Sequence, residues 1–322
     1  MCAKAVTRRT LLTFVVCFGT YGASAGGPPD FSQFENYTRE QALDWMLNAA
    51  KPVIEINMKT ILSSVSKPDL DRLVAADLRF DLEEQPFSFY SHAQDYPRQT
   101  INVSLGGTSA LEICALAMAL SKVDLSDKSW WFDYLLYHRK LRRQPNSKWM
   151  EPFDAAGMSS VADQSENAIR SGLLLSIDMS LFVVAHEAGH VARQHRFGPY
   201  PNESESNLRK RRQKQELEAD RFALDVLKTS KTDLFAASYT TLAHLVLMQE
   251  KESSYSDSDH PPDHARLLQI ADYQKPASME SRQLSKFATL FGRDYPAGTS
   301  PYDVLDAMAD EVTPDKLRIW KK

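Results

Sequence analysis

Leu181-Phe182-Val183-Val184-Ala185-His186-Glu187-Ala188-Gly189-His190 is the stretch that decides how this chain is read. Run as a helix, it sets two imidazoles one turn apart with a carboxylate beside them. Side chains four residues apart on a helix share a face, with Cβ atoms about 5–6 Å apart. Both rings can therefore reach one Zn²⁺ at about 2.0–2.1 Å. Upstream, Ile169 through Ala185 is apolar and free of proline, as a buried helix running into the motif should be. Gly189 stands where a better helix former would ordinarily be placed, so a close approach of another backbone is expected there. The alternative is a core helix that carries two hydrogen-bonded histidines.

A second helix follows. Glu216-Leu217-Glu218-Ala219-Asp220 continues into Arg221-Phe222-Ala223-Leu224-Asp225-Val226-Leu227 with apolar residues at helical spacing. Glu216 and Asp220 share a face, and Glu218 points roughly to the other side. A catalytic zinc site takes three protein ligands and leaves a fourth position open, and two His with one Glu is an established set. The candidate ligands are thus His186, His190 and Glu216, holding one zinc per chain. Asp220 is placed to accept the free N–H of a ligating imidazole, which fixes its tautomer. An acidic helix with a solvated face is the plainer reading, but the apolar continuation requires one face to be buried.

The order of these blocks resembles a family. A HExxH helix followed by an ExxAD helix is similar to the gluzincin peptidases of the CAAX prenyl protease and heat-shock membrane protease family, especially their soluble periplasmic members. His260-Pro261-Pro262-Asp263-His264-Ala265-Arg266-Leu267 resembles that family's HPPxxxR block. The resemblance implies a minimal gluzincin core, and a role for His260 in assisting the reacting carbonyl or regulating access to the metal. Read from the residues alone, His260 stands at a helix start, with a proline in the first turn. The stretch Pro97–Gly107, with its β-branched alternation, is similar to the family's strand before the active-site helix. The resemblance makes Ile101, Asn102 and Val103 part of an edge strand that pairs with the substrate backbone. Pro86–Ser91 before it is expected to complete a hairpin. About 60 residues then intervene before the HExxH helix, with helix-like segments at 109–121 and 128–143.

The fold class expected is mainly α with a small β-sheet, α+β. One domain spans 26–322, with core motifs at about 86–107 and 165–275, a helical insertion at about 108–164 and a helical C-terminal part at 276–322. Residues 1–25 read as an export signal: Lys4, Arg8 and Arg9 precede an apolar run that ends in Ala23-Ser24-Ala25. Thr7-Arg8-Arg9-Thr10-Leu11-Leu12 resembles a twin-arginine signal, which implies a bacterial periplasmic destination. Of 38 basic residues, these three leave with the signal, so 35 face 42 acidic ones, a formal charge of −7. Nothing in that balance calls for nucleic acid. Of three cysteines only Cys114 lies beyond residue 25, which excludes an intramolecular disulfide in the mature chain. Apolar runs such as Leu234–Met248 are broken by Ser, Thr and His244, so no stable membrane span is expected there. The basic run Arg209–Lys214 reads as a solvated helix face.

The ligand set reads as that of a zinc peptidase; with the leader-like residues 1–25 and what the resemblance implies, the expectation is an exported zinc metalloendopeptidase acting on extended or unfolded polypeptide. Glu187 would take a proton from the attacking water and return it to the leaving amine. The alternative is a periplasmic chaperone or envelope-assembly factor with a latent zinc site.

Overall fold

The computed structural model describes residues 41, 44, 46–81, 91–94, 99–120, 166–232, 234, 236–238, 240–241 and 263–274. The export signal, His260 and the C-terminal part 276–322 lie outside these residues. A π-helical turn, Met46–Ala50, runs straight into helix α1, Lys51–Ser64. Helix α2 spans Lys67–Val74. Each of the two helices has a proline in its first positions, Pro52 and Pro68. At Pro68, which follows an extended Ser66, the missing N–H would have had no helical partner in any case. Strands β1 (Asp77–Asp81), β2 (Ser91–Gln94) and β3 (Thr100–Ser104) follow, and then helices α3 (Leu105–Leu120), α4 (Glu166–Ala192), α5 (Glu205–Thr229) and α6 (Asp263–Gln274). The described residues are mostly helical with a small sheet, as the α+β expectation has it.

The sheet corrects one expectation. Its order is β1-β3-β2, so β3 is the central strand. Every residue of β3 pairs in parallel register with β1, from Asp77 opposite Thr100 to Asp81 opposite Ser104. On the other side β2 runs antiparallel, with His92 opposite Asn102 and Ala93 opposite Ile101. Ile101, Asn102 and Val103 are therefore not an edge strand, because both of their hydrogen-bonding sides are taken. Ile101 and Val103 are each 1% exposed and face the helices. The short, polar β1 sequence Asp77-Leu78-Arg79-Phe80-Asp81 gives little sign of a strand, so the sequence does not announce this second partner of β3.

Helix α4 is the axis of the molecule. It packs against α3, α5, α1, α2, β2 and β3. From Met179 to Ala192 the helix is almost wholly buried and has no polar face to keep, whereas Arg170 and Leu174 nearer its start are exposed. By length and composition Arg170–Ala192 could cross a membrane, but 67% of that window is buried inside the protein, as in a core helix. Helix α3, expected as the start of a helical insertion, is the most extensive partner of α4 among the described elements. Leu111, Cys114, Ala115 and Leu116 are buried on it. Its buried residues are part of the core.

Both long helices stop without glycine. At the end of α4, Gln194 takes a left-handed conformation with φ 56°. The His195 N–H then donates to the His190 carbonyl at 2.9 Å, and the Gln194 N–H to the Val191 carbonyl at 3.1 Å. This pair of bonds is the Schellman stop, which recovers carbonyls that the helix leaves unpaired. Helix α5 ends the same way, with Lys231 at φ 57° and the Thr232 N–H bonded to the Leu227 carbonyl at 2.9 Å. A non-glycine residue in this conformation costs about 1–2 kcal/mol. The surrounding contacts must hold it there.

At α4 those contacts are arginines. Arg72 on α2 donates to the Ala192 carbonyl at 2.6 Å, at the negative end of the helix dipole. Arg211 on α5 bonds the carbonyl of Gly198 at 2.8 Å, that of Arg196, and both oxygens of Glu203, and its guanidinium lies 4.4 Å from the Tyr200 ring centre. Arg212 holds the Phe197 carbonyl at 2.6 and 2.9 Å. Arg211 and the Tyr200 N–H together keep the Glu203 carboxyl at about 2. In this part of the basic run, then, two arginines brace the loop between α4 and α5 rather than standing free in solvent.

Candidate metal centre

The site forms where α4 crosses α5. A Cβ on Gly189 would come within 3.1 Å of the Ala219 Cα, 3.2 Å of its carbonyl oxygen and 3.2 Å of the Phe222 Cβ. Such spacing leaves no room for a side chain, so the two helices touch backbone to backbone. The close approach expected at Gly189 is present, and its partner is the alanine of Glu216-Leu217-Glu218-Ala219-Asp220. That contact carries His186 and His190 from one helix and Glu216 from the other into one buried cluster. Their exposures are 7%, 2% and 6%.

Within the cluster, His186 Nε2 lies 3.2 Å from His190 Nε2 and 3.2 Å from Glu216 Oε2, and His190 Nε2 lies 3.4 Å from Glu216 Oε1. Donor atoms about 2.0–2.1 Å from a common centre at the tetrahedral angle are about 3.3–3.4 Å apart. The triangle is thus the size that a tetrahedral cation with nitrogen and oxygen ligands requires. These three residues could hold a metal ion.

The far side of each ring is also engaged. His186 Nδ1 is 2.8 Å from Asp220 Oδ1, and only a donor can meet a carboxylate. The neutral His186 ring therefore carries its hydrogen on Nδ1 and turns the Nε2 lone pair into the triangle. Asp220 is fully buried and is gripped by Arg266 on α6, with Nε donating to Oδ2 at 2.7 Å and Nη2 to Oδ1 at 2.6 Å. Burial alone would raise the Asp220 carboxyl, but the Arg266 charge and hydrogen bond, with help from His186, hold it at about 2. On the other ring, His190 Nδ1 meets His195 Nδ1 at 2.9 Å, and His195 Nε2 meets Glu218 Oε2 at 3.0 Å. Glu187 is 6% exposed, and its Oε1 lies 4.0 Å from His186 Nε2, beside the triangle rather than in it.

The charge balance favours a cation. Burial pulls the His186 imidazole down, but hydrogen bonds to Asp220 and Glu216 and the charges of both carboxylates more than reverse this, and it rises to about 10. His190, lowered first by burial and then by the charge on His186, falls to about 3. The carboxylates thus support one positive charge at this point, and without a metal His186 carries it.

Two residues with a place here had no assigned role from sequence. Arg266 stands in the block His260–Leu267, and its partner Asp220 is 46 positions away in sequence, beyond the reach of any local signal. His195 follows the helix stop, and a glutamine in the left-handed position hides that stop from a search for glycine.

A family model for Peptidase U49 matches residues 117–287, just over half of the chain. The chain belongs to the Peptidase U49 family. As a Peptidase U49 member it is a peptide hydrolase, and its substrate is polypeptide. The matched residues take in His186, Glu187, His190, Glu216, Asp220 and Arg266. No curated protein and no solved structure matches the Peptidase U49 chain.

Proposed function

We propose that this Peptidase U49 member is a zinc-dependent metalloendopeptidase of gluzincin type that cleaves extended or unfolded polypeptides. The observation that carries the reading is the buried triangle of His186 Nε2, His190 Nε2 and Glu216, with edges of 3.2–3.4 Å. When bound there, zinc would supply a Lewis acid that polarises the scissile carbonyl and makes water nucleophilic near neutral pH. Glu187, beside the triangle, accepts the water's proton and delivers it to the leaving amine. Asp220 fixes the His186 tautomer. The leader-like residues 1–25, with Lys4, Arg8 and Arg9 before an apolar run, support export to a periplasm. His260 is kept as the candidate oxyanion donor or gate.

The test is metal content together with cleavage of a denatured protein. One equivalent of zinc and chelator-sensitive cleavage are expected, and cleavage that survives complete metal removal refutes the reading. Loading should also release protons with a definite sign. At neutral pH the metal-free site holds a proton on His186, whose value is about 10, while His190 at about 3 is already neutral. A ligating ring must be free at Nε2, so zinc uptake displaces about one proton per chain. Affinity should then rise close to tenfold per pH unit between about pH 6 and 9. Calorimetry in buffers of different ionisation heat reads that proton directly.

A further inference from the structure

We infer that His195 is a positioning residue for His190, fixing the ring through a hydrogen-bonded chain that ends on Glu218. The inference rests on the zinc reading above and adds the second anchored ligand to it. Neutral His190 can turn Nε2 into the triangle only with its hydrogen on Nδ1, and Nδ1 points at His195 Nδ1, 2.9 Å away. His190 must therefore donate and His195 accept. His195, left with its hydrogen on Nε2, donates in turn to Glu218 Oε2 at 3.0 Å. Every position along this chain has one donor and one acceptor, and the assignment is forced once the carboxylate is taken as the end. His195 is 5% exposed while the Glu218 side chain is 46% exposed, so the chain runs from a buried ligand to the surface.

The backbone explains why the two rings meet. In a Schellman stop, the residue just past the left-handed position lies over the residue five earlier, usually in an apolar contact. Here those two positions are His195 and His190. The helix end thus supplies the orienting partner of its own last-turn ligand. Arg211 and Arg212, gripping the carbonyls of Gly198, Arg196 and Phe197, hold the loop in that place. The two ligating rings are anchored by different means. His186 leans on a buried, arginine-paired carboxylate, and His190 leans on a neutral imidazole whose own partner is in contact with solvent.

The test compares His195→Phe, which keeps the ring shape and removes the acceptor, with His195→Asn, whose amide oxygen stands near the place of Nδ1. Zinc affinity is measured by competition with a coloured chelator, and the visible spectrum of the cobalt-loaded protein reports ligand geometry. His195→Phe should weaken zinc by about 10–100-fold and shift the cobalt bands. His195→Asn should stay close to wild type in both. Equal affinities for wild type and His195→Phe, or equal losses in the two variants, overturn the inference. Glu216→Ala is the control: if it loses zinc while His195→Phe does not, the metal site stands and only this inference falls. A wild type that takes up no zinc overturns both. Should His195→Phe not fold, as judged by its thermal melt, Glu218→Leu at the half-exposed end must shift the cobalt bands in a smaller measure. Unchanged bands there refute the chain.

Discussion

Glu187→Gln should reduce peptide cleavage by about 10²–10⁴-fold and leave one zinc bound, the loss expected of a general acid–base group. The substitution keeps the size of the side chain and removes its ability to carry a proton. Because Oε1 of Glu187 sits 4.0 Å from His186 Nε2, outside the triangle of donor atoms, the metal should not depend on it. Single-turnover rates on a denatured substrate, paired with zinc stoichiometry, check both halves. Cleavage within a few-fold of wild type would remove Glu187 from the mechanism. Zinc lost together with activity would instead make it a ligand.

Arg266→Leu should be strongly destabilising, by about 3–5 kcal/mol, because it strips the buried Asp220 carboxylate of its bidentate partner and leaves it only the His186 ring. The pair is bidentate at 2.6 and 2.7 Å, and Asp220 has no exposure to water. The pH dependence carries a sign. In the wild type the depressed Asp220 value, about 2 against the usual 3.8, gives stability that is present above pH 3.8 and lost as pH falls through about 2. Without Arg266, burial wins, the carboxyl value rises, and the variant's deficit should grow from acid to neutral pH. Chemical unfolding at pH 4 and pH 7 measures it, and Asp220→Asn in the same chain should recover part of the loss. A deficit that does not change with pH would show that packing, rather than charge, is what Arg266 supplies.

The helices that carry the site are legible in sequence because their signals are local. His186 and His190 share a face by spacing alone, as do Glu216 and Asp220, and the crossing is announced by Gly189. What is not legible is what depends on distant pairing. The place of β3 depends on two short strands of little alternation, one on each side, so Ile101–Val103 are read from sequence as an edge when they form the centre. The role of Arg266 needs the fold that brings α6 onto α5. His195 is in between: it is only five residues from His190, yet its placement follows from a left-handed Gln194 that no composition rule marks. The bracing arginines 211 and 212 look like an ordinary charged face until the loop carbonyls they hold are seen.

The contact between Gly189 and Ala219 bears on which ions the site can accept. Where side chains separate two helices, rotamer changes let the gap widen; here hard backbone atoms set it, at 3.1–3.2 Å from where a Cβ would stand. The distance between the two histidines and Glu216 is therefore a fixed gauge. Calcium, which needs six to eight oxygens at about 2.3–2.6 Å, has neither the span nor the ligand type. Ions of zinc's radius and taste for nitrogen, such as cobalt or nickel, fit the same opening. Discrimination against larger cations would thus be built into the meeting of two main chains, in a glycine and an alanine that never touch the ion.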